Sequence, residues 1–197
     1  MLRYLVPFGA YLLTLSLPLF TGLSSVHAYG LMVIVVGSLL FYFRKQYKVK
    51  PVFGVLPFCV GALIFMAWVL LEGRYPMFGT SEFTTIAPLY IAVKFFGSVF
   101  IAATVEELFT RDFLARYLSA KDWARSPIGM FTPFSFIATA LFFGFAHNRW
   151  LPGLVAGVLL NLLLIRERNL GSTIIAHSFA NLLLGVYVIA TGSWQLW

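Results

Sequence analysis

Seven apolar segments, at about 4–24, 28–43, 51–71, 86–105, 134–147, 151–165 and 172–191, follow one another along the whole chain. Most are long enough to cross a hydrocarbon layer of about 30 Å as helices rising about 1.5 Å per residue. In lipid the backbone must satisfy its own hydrogen bonds, so only helices or closed barrels can span it. The alternating pattern of barrel strands is missing. The expected fold class is therefore all-α: a polytopic transmembrane helix bundle of about seven helical segments, six to eight with the short ones counted either way. Composition agrees, with 60% hydrophobic and 11% charged residues and a mean hydropathy of +0.89, whereas a soluble domain carries about a quarter charged residues. The first segment lacks a small-residue cleavage site and is read as a retained helix. No linker, repeat or low-complexity tract divides the chain, so residues 1–197 read as a single membrane-embedded domain.

Fourteen Lys and Arg against seven Asp and Glu give a formal net charge of +7. No stretch resembles a nucleic-acid-binding module, and the charges sit in short clusters between apolar segments, where topology explains them. Arg3, Arg44, Lys45, Lys48, Lys50, Arg111, Arg116, Lys121, Arg125, Arg166 and Arg168, eleven of the fourteen, fall on one side of the alternating segments. This predicts a cytoplasmic N-terminus and an external C-terminus. The single cysteine, Cys59, is expected to be a buried small hydrophobe.

Segments 134–147 and 151–165 would rise only about 21–22 Å as helix. Either they extend through polar neighbours, or the turn His147-Asn148-Arg149-Trp150-Leu151-Pro152-Gly153 lies below the outer surface. The sunken turn is tolerated where it lines a protein-enclosed cavity, and it would bring His147 within reach of the fourth span.

That span ends Glu106-Glu107-Leu108-Phe109-Thr110-Arg111. Ionisable groups within a membrane cost a few kcal/mol each on insertion scales, and so are functional candidates. Glu107 and Arg111 are four apart with the acid first, which suits an ion pair on one face. Glu106, about 100° around the helix, then faces another partner. The same two acids could instead mark a solvated helix end. Phe143 lies one turn before His147, where its ring could fix the imidazole. His177 and Asn181 project from one face of the last apolar helix; plain helix–helix hydrogen bonding is the competing reading. Together these residues supply a general-base candidate, two imidazoles and an amide donor. Peptide hydrolysis needs an activated water and donors for the oxyanion. The chain lacks a His-Glu-x-x-His pair and a Gly-x-Ser-Gly serine, and its aspartates, Asp112 and Asp122, are expected in the basic loop after the fourth span. Proton-relay transport would predict pseudo-symmetric halves, and none are visible.

At these residues the sequence resembles the CAAX protease and bacteriocin-processing (CPBP, or Abi) family of intramembrane endopeptidases. The family's Glu-Glu-x-x-x-Arg, Phe-x-x-x-His and His-x-x-x-Asn blocks are met in order by Glu106 to Arg111, Phe143 to His147 and His177 to Asn181, with 86–191 as the catalytic core. The stretch Phe134–Trp197, with Gly153-Leu-Val-Ala-Gly157 and the tail Gly192-Ser-Trp-Gln, looks like a bacterial subgroup found with exosortase-type sorting systems. The resemblance implies that Glu106 and His147 hold and activate water, that Glu107 supports the site through Arg111, and that His177 and Asn181 donate to the oxyanion. It implies a glutamate-type protease without cofactor; the alternative is zinc held by Glu106, His147 and His177. The implied partners are a membrane protein or lipidated peptide substrate and the bilayer. A catalytically silent binding, sorting or immunity factor of the same fold is the alternative function.

The remaining polar residues receive plainer expectations. His27 is expected to be solvated, Lys94 to snorkel outward, and Arg149 and Trp150 to anchor at the interface, with Arg149 in the cavity if the turn is sunken. Asn161 is expected to bond across helices, and the tail Trp194–Trp197 to form an aromatic belt.

Overall fold

The structure, a computed structural model, describes residues 1–78 and 87–197; position 86, where the fourth apolar segment was expected to start, lies outside the described residues. The described residues form seven principal helices and no strand: α1 (Leu2–Thr21), α2 (Ser25–Phe43), α3 (Leu56–Leu70), α4 (Pro88–Ser119), α5 (Pro133–Phe145), α6 (Trp150–Glu167) and α7 (Leu170–Thr191). Five of them, α1, α2, α4, α6 and α7, are long and apolar enough to cross a membrane. The fold is the expected all-α membrane bundle.

Helix ends follow local chemistry. Gly22 and Gly192 adopt the left-handed conformation that stops α1 and α7. Ser24 caps α2 by accepting from the His27 N–H, and the exposed His27 ring bonds the same hydroxyl at 2.6 Å. Thr132 and Ser135 form a reciprocal capping box at the start of α5.

Two segment expectations are corrected, and one of the alternatives for the short segments is met. The fourth segment does not end near 105 in a basic loop: α4 continues to Ser119 and buries Arg111, Asp112 and Arg116. Burial is tolerated because the charges pair four residues apart, Glu107 with Arg111 and Asp112 with Arg116. The third segment is helical only from Leu56 to Leu70, fifteen residues; Pro57 sits in the first turn, which is where a helix accepts proline. The sixth segment extends through Arg166 and Glu167 to eighteen residues, while α5 stays at thirteen. Cys59 is exposed rather than buried, because Val60, Gly61 and Ile64 turn the other faces of α3 inward.

Helix α3 packs on α7, and α5 on α6, around Val60, Ile64, Phe143, Ala156, Leu160, Ala176 and Ala180. A second cluster of Phe8, Met32, Val36 and Val105 joins α1, α2 and α4. Hydrophobic driving force between helices is absent in lipid, so close approach at small residues matters. A Cβ on Gly61 would stand 2.5 Å from the Ala176 carbonyl oxygen, and one on Gly157 2.9 Å from that of Ala140. Asn161 makes the expected interhelical bonds, donating to Phe136 O at 3.1 Å and Thr139 Oγ1 at 2.9 Å.

Candidate active site

Glu106 and Glu107 occupy a short α-helical stretch of α4, Ala103–Glu107, between π-helical stretches at Gly97–Ala102 and Leu108–Leu114. Such wide turns change the phase of a helix and recur at functional sites. The two carboxylates diverge as their spacing requires. Tyr11, on α1, donates to Glu106 Oε1 at 2.6 Å. Glu106 Oε2 lies 3.9 Å from His147 Nε2; it is buried and has no hydrogen-bond partner among the described residues. Glu107 is fully buried, and its Oε1 lies 3.2 Å from Arg111 Nη1 and 3.2 Å from His177 Nδ1.

His147 belongs to the four-residue turn 146–149 between α5 and α6. Helix α5, thirteen residues long, rises only about 20 Å, less than a hydrocarbon layer of about 30 Å. The hairpin is tight because Gly144 and Gly153 face each other: a Cβ on Gly153 would lie 3.2 Å from Gly144 Cα. His147 Nδ1 is 2.7 Å from the Phe143 carbonyl oxygen. A carbonyl only accepts, so Nδ1 carries a proton, and Nε2 is turned towards Glu106.

Phe143 is the hub of the aromatic packing. Its ring centroid lies 4.9 Å from that of His147 and 5.5 Å from that of His177, with the Arg111 guanidinium 4.3 Å from its face. Arg111 also donates to Gly157 O at 3.3 Å, tying α4 to α6. Asn181 Nδ2 donates to the Ser98 carbonyl, a backbone oxygen within the first π-helical stretch, at 2.8 Å. Glu106, His147, His177, Asn181 and Phe143 all line one cavity of about 410 Å³. Glu107 and Arg111 do not line it; they stand behind His177 and Phe143.

Two expectations for neighbouring residues are corrected. Arg149 is not an interfacial anchor: it is 4% exposed, lines the cavity and forms a bidentate pair with Glu72 at 2.7 Å for both bonds. Lys94 does not simply snorkel. It lines the cavity, with Nζ 5.4 Å from the Tyr29 ring centroid and 5.8 Å from that of Trp197. In the tail, Leu196 is buried and Trp197 packs edge-on against Phe95. Trp197 and Leu196 also line the cavity.

Among the described residues no three His, Cys, Asp or Glu side chains group as metal ligands. Tyr11 escaped the sequence reading. The signal for it was a phenol hydroxyl in an apolar span, which needs a partner. Glu72, the partner of Arg149, was also missed, because the pair is 77 residues apart in the chain.

A family model described as type II CAAX prenyl endopeptidase Rce1-like matches residues 88–183. The matched stretch runs through Glu106, Glu107, Arg111, Phe143, His147, His177 and Asn181, and leaves Tyr11 outside. No curated protein and no solved structure matches the chain. The family's domain thus lies over the helices that carry this cavity, and residues 88–183 form an Rce1-like type II CAAX prenyl endopeptidase domain, of a family of membrane proteases.

Proposed function

We propose that the protein is a glutamate-type intramembrane endopeptidase that hydrolyses peptide bonds of a membrane-associated protein or peptide. The observation that carries this reading is the facing pair Glu106 Oε2 and His147 Nε2, 3.9 Å apart. With the imidazole neutral both are acceptors, and the gap is too long for a direct hydrogen bond. Water is the species that can donate one O–H to each and keep a lone pair for attack. Glu106 takes the proton as the water oxygen bonds to the scissile carbonyl carbon. The carbonyl oxygen becomes an oxyanion; its electron pair then returns as the C–N bond breaks, and the proton passes from Glu106 to the leaving amine. Tyr11 holds Glu106 by its other oxygen. Asn181 has a second amide N–H beyond the one on Ser98 O, and with it donates to the oxyanion. His177 does so from Nε2 as the imidazolium, its charge balanced by Glu107, which together with Arg111 fixes the ring.

The substrate enters from lipid. A cavity lined by aromatic rings and enclosed by membrane helices suits an extended, apolar or lipidated segment. The likeness of the C-terminal third to an exosortase-associated subgroup makes leader peptides and sorting signals worth testing alongside lipidated C-terminal tails. We place the N-terminus on the cytoplasmic side of a bacterial inner membrane, with residues 1–197 as one domain and 86–191 as its catalytic core.

The test is cleavage of a panel of these peptides by purified, reconstituted protein, compared with Glu106→Gln and His147→Ala. The expected result is cleavage by the wild type and a loss of at least about 100-fold in either variant. Unchanged rates in both variants would refute the mechanism. Substrate binding without cleavage by the wild type would identify a silent relative instead.

A further inference from the structure

We propose that a second cavity, at the end of the bundle where the basic residues collect, binds a phosphate group, supplied by an anionic phospholipid headgroup. The cavity measures about 380 Å³ and lies where the start of α1, the segment after α2, the end of α4 and the following loop meet. Arg3, Lys48, Arg116 and Arg125 line it, against one acid, Asp112.

That acid is already engaged. Asp112 Oδ2 accepts from the Tyr4 hydroxyl at 2.7 Å, and Oδ1 pairs with Arg116. Arg116 is likewise committed, donating through Nη1 to the carbonyls of Trp123 and Ser126 at 3.2 Å. These groups form a neutral, rigid floor. Arg3, Lys48 and Arg125 stand around it as three cations. Arg125 is only weakly compensated, by Asp122 at 3.5 Å on the exposed surface, a contact of little energy. Arg3 donates one N–H to Tyr4 at 2.9 Å, while its buried Nε has no hydrogen-bond partner among the described residues.

Cations that merely mark a membrane side point outward into water. Here Lys48 and Arg125, though exposed, stand at the rim of a concave site between helix ends with the less exposed Arg3 beside them, an arrangement that takes an anionic headgroup. A phosphodiester offers two unesterified oxygens carrying one negative charge, which suit the guanidinium of Arg3 and the ammonium of Lys48. The acyl chains would then run along the exposed apolar faces of α1 and α2, where Leu2, Leu5 and Phe41 are uncovered. This site stands apart from the cavity at Glu106 and does not depend on the protease reading.

The test is titration of the detergent-solubilised full chain with short-chain phosphatidylglycerol, short-chain phosphatidylcholine and inorganic phosphate, followed by the fluorescence of Trp123 beside Arg116 relative to a Trp123→Phe control. Lys48→Gln with Arg125→Gln removes two exposed lining charges without touching the floor. Lys45→Gln with Lys121→Gln removes two exposed charges outside the cavity. Saturable binding of phosphatidylglycerol, weakened at least about tenfold by the first pair and hardly by the second, is the expected result. Inorganic phosphate saturating with the same dependence on the first pair would keep the site and name a soluble source. Equal weakening by both pairs, or equal binding of the two lipids, would overturn it.

Discussion

Replacing Tyr11 by Phe removes a single oxygen from the bundle, the one that donates to Glu106 Oε1 at 2.6 Å. The ring remains and keeps its packing against Phe8, 6.1 Å away between centroids. A hydrogen bond to an ionised acceptor contributes about 1.5–3 kcal/mol. If Glu106 owes its orientation towards His147 to that bond, the loss converts to about 10- to 150-fold in kcat/KM. The assay is single-turnover cleavage of a fluorogenic peptide by reconstituted protein, with thermal unfolding as the control for integrity. A cycle with Glu106→Gln isolates the coupling: in that background, Tyr11→Phe should alter the residual rate by no more than about twofold. A Tyr11→Phe rate within about threefold of wild type, or the same proportional loss with and without Glu106, would refute the reasoning.

Further outcomes follow from the same geometry. Arg111→Met leaves the Glu107 carboxylate buried beside one fewer cation and should cost about 3–5 kcal/mol of stability; an unchanged unfolding midpoint would contradict the ion-pair account, and Glu107→Gln added to it should restore part of the loss. Gly157→Val places a Cβ 2.9 Å from Ala140 O and should lower the unfolding midpoint, at about 1–3 kcal/mol, while slowing cleavage as the α5–α6 hairpin shifts. Asn181→Ala should lower kcat by about 100- to 1,000-fold with little change in KM; a rise in KM alone would make Asn181 a substrate-binding residue. Chelation should leave the cleavage rate unchanged, and stoichiometric zinc in active protein, with activity lost on its removal, would overturn the glutamate–water mechanism.

The membrane bundle was legible because hydrophobic runs report burial in lipid one segment at a time, without knowledge of any neighbour. The Glu107–Arg111 pair was legible for a similar reason: four residues on one helix meet wherever the helix goes. Segment ends were less so. Nothing local distinguishes a basic loop from a helix whose charges are paired, so the continuation of α4 through Arg111 and Arg116 emerged only with their partners in place.

Sequence alone determined the all-helical membrane class, the pairing within α4 and the three polar blocks, since each depends on spacing along one helix. Only the tertiary structure decided which groups face one another between helices: His177 against Glu107, Asn181 against Ser98, Tyr11 and His147 on either side of Glu106, and Arg149 against Glu72. Those contacts depend on helix crossings set by glycines and on the phase of two π-helical stretches. Their positions are properties of the packed bundle, not of any single segment.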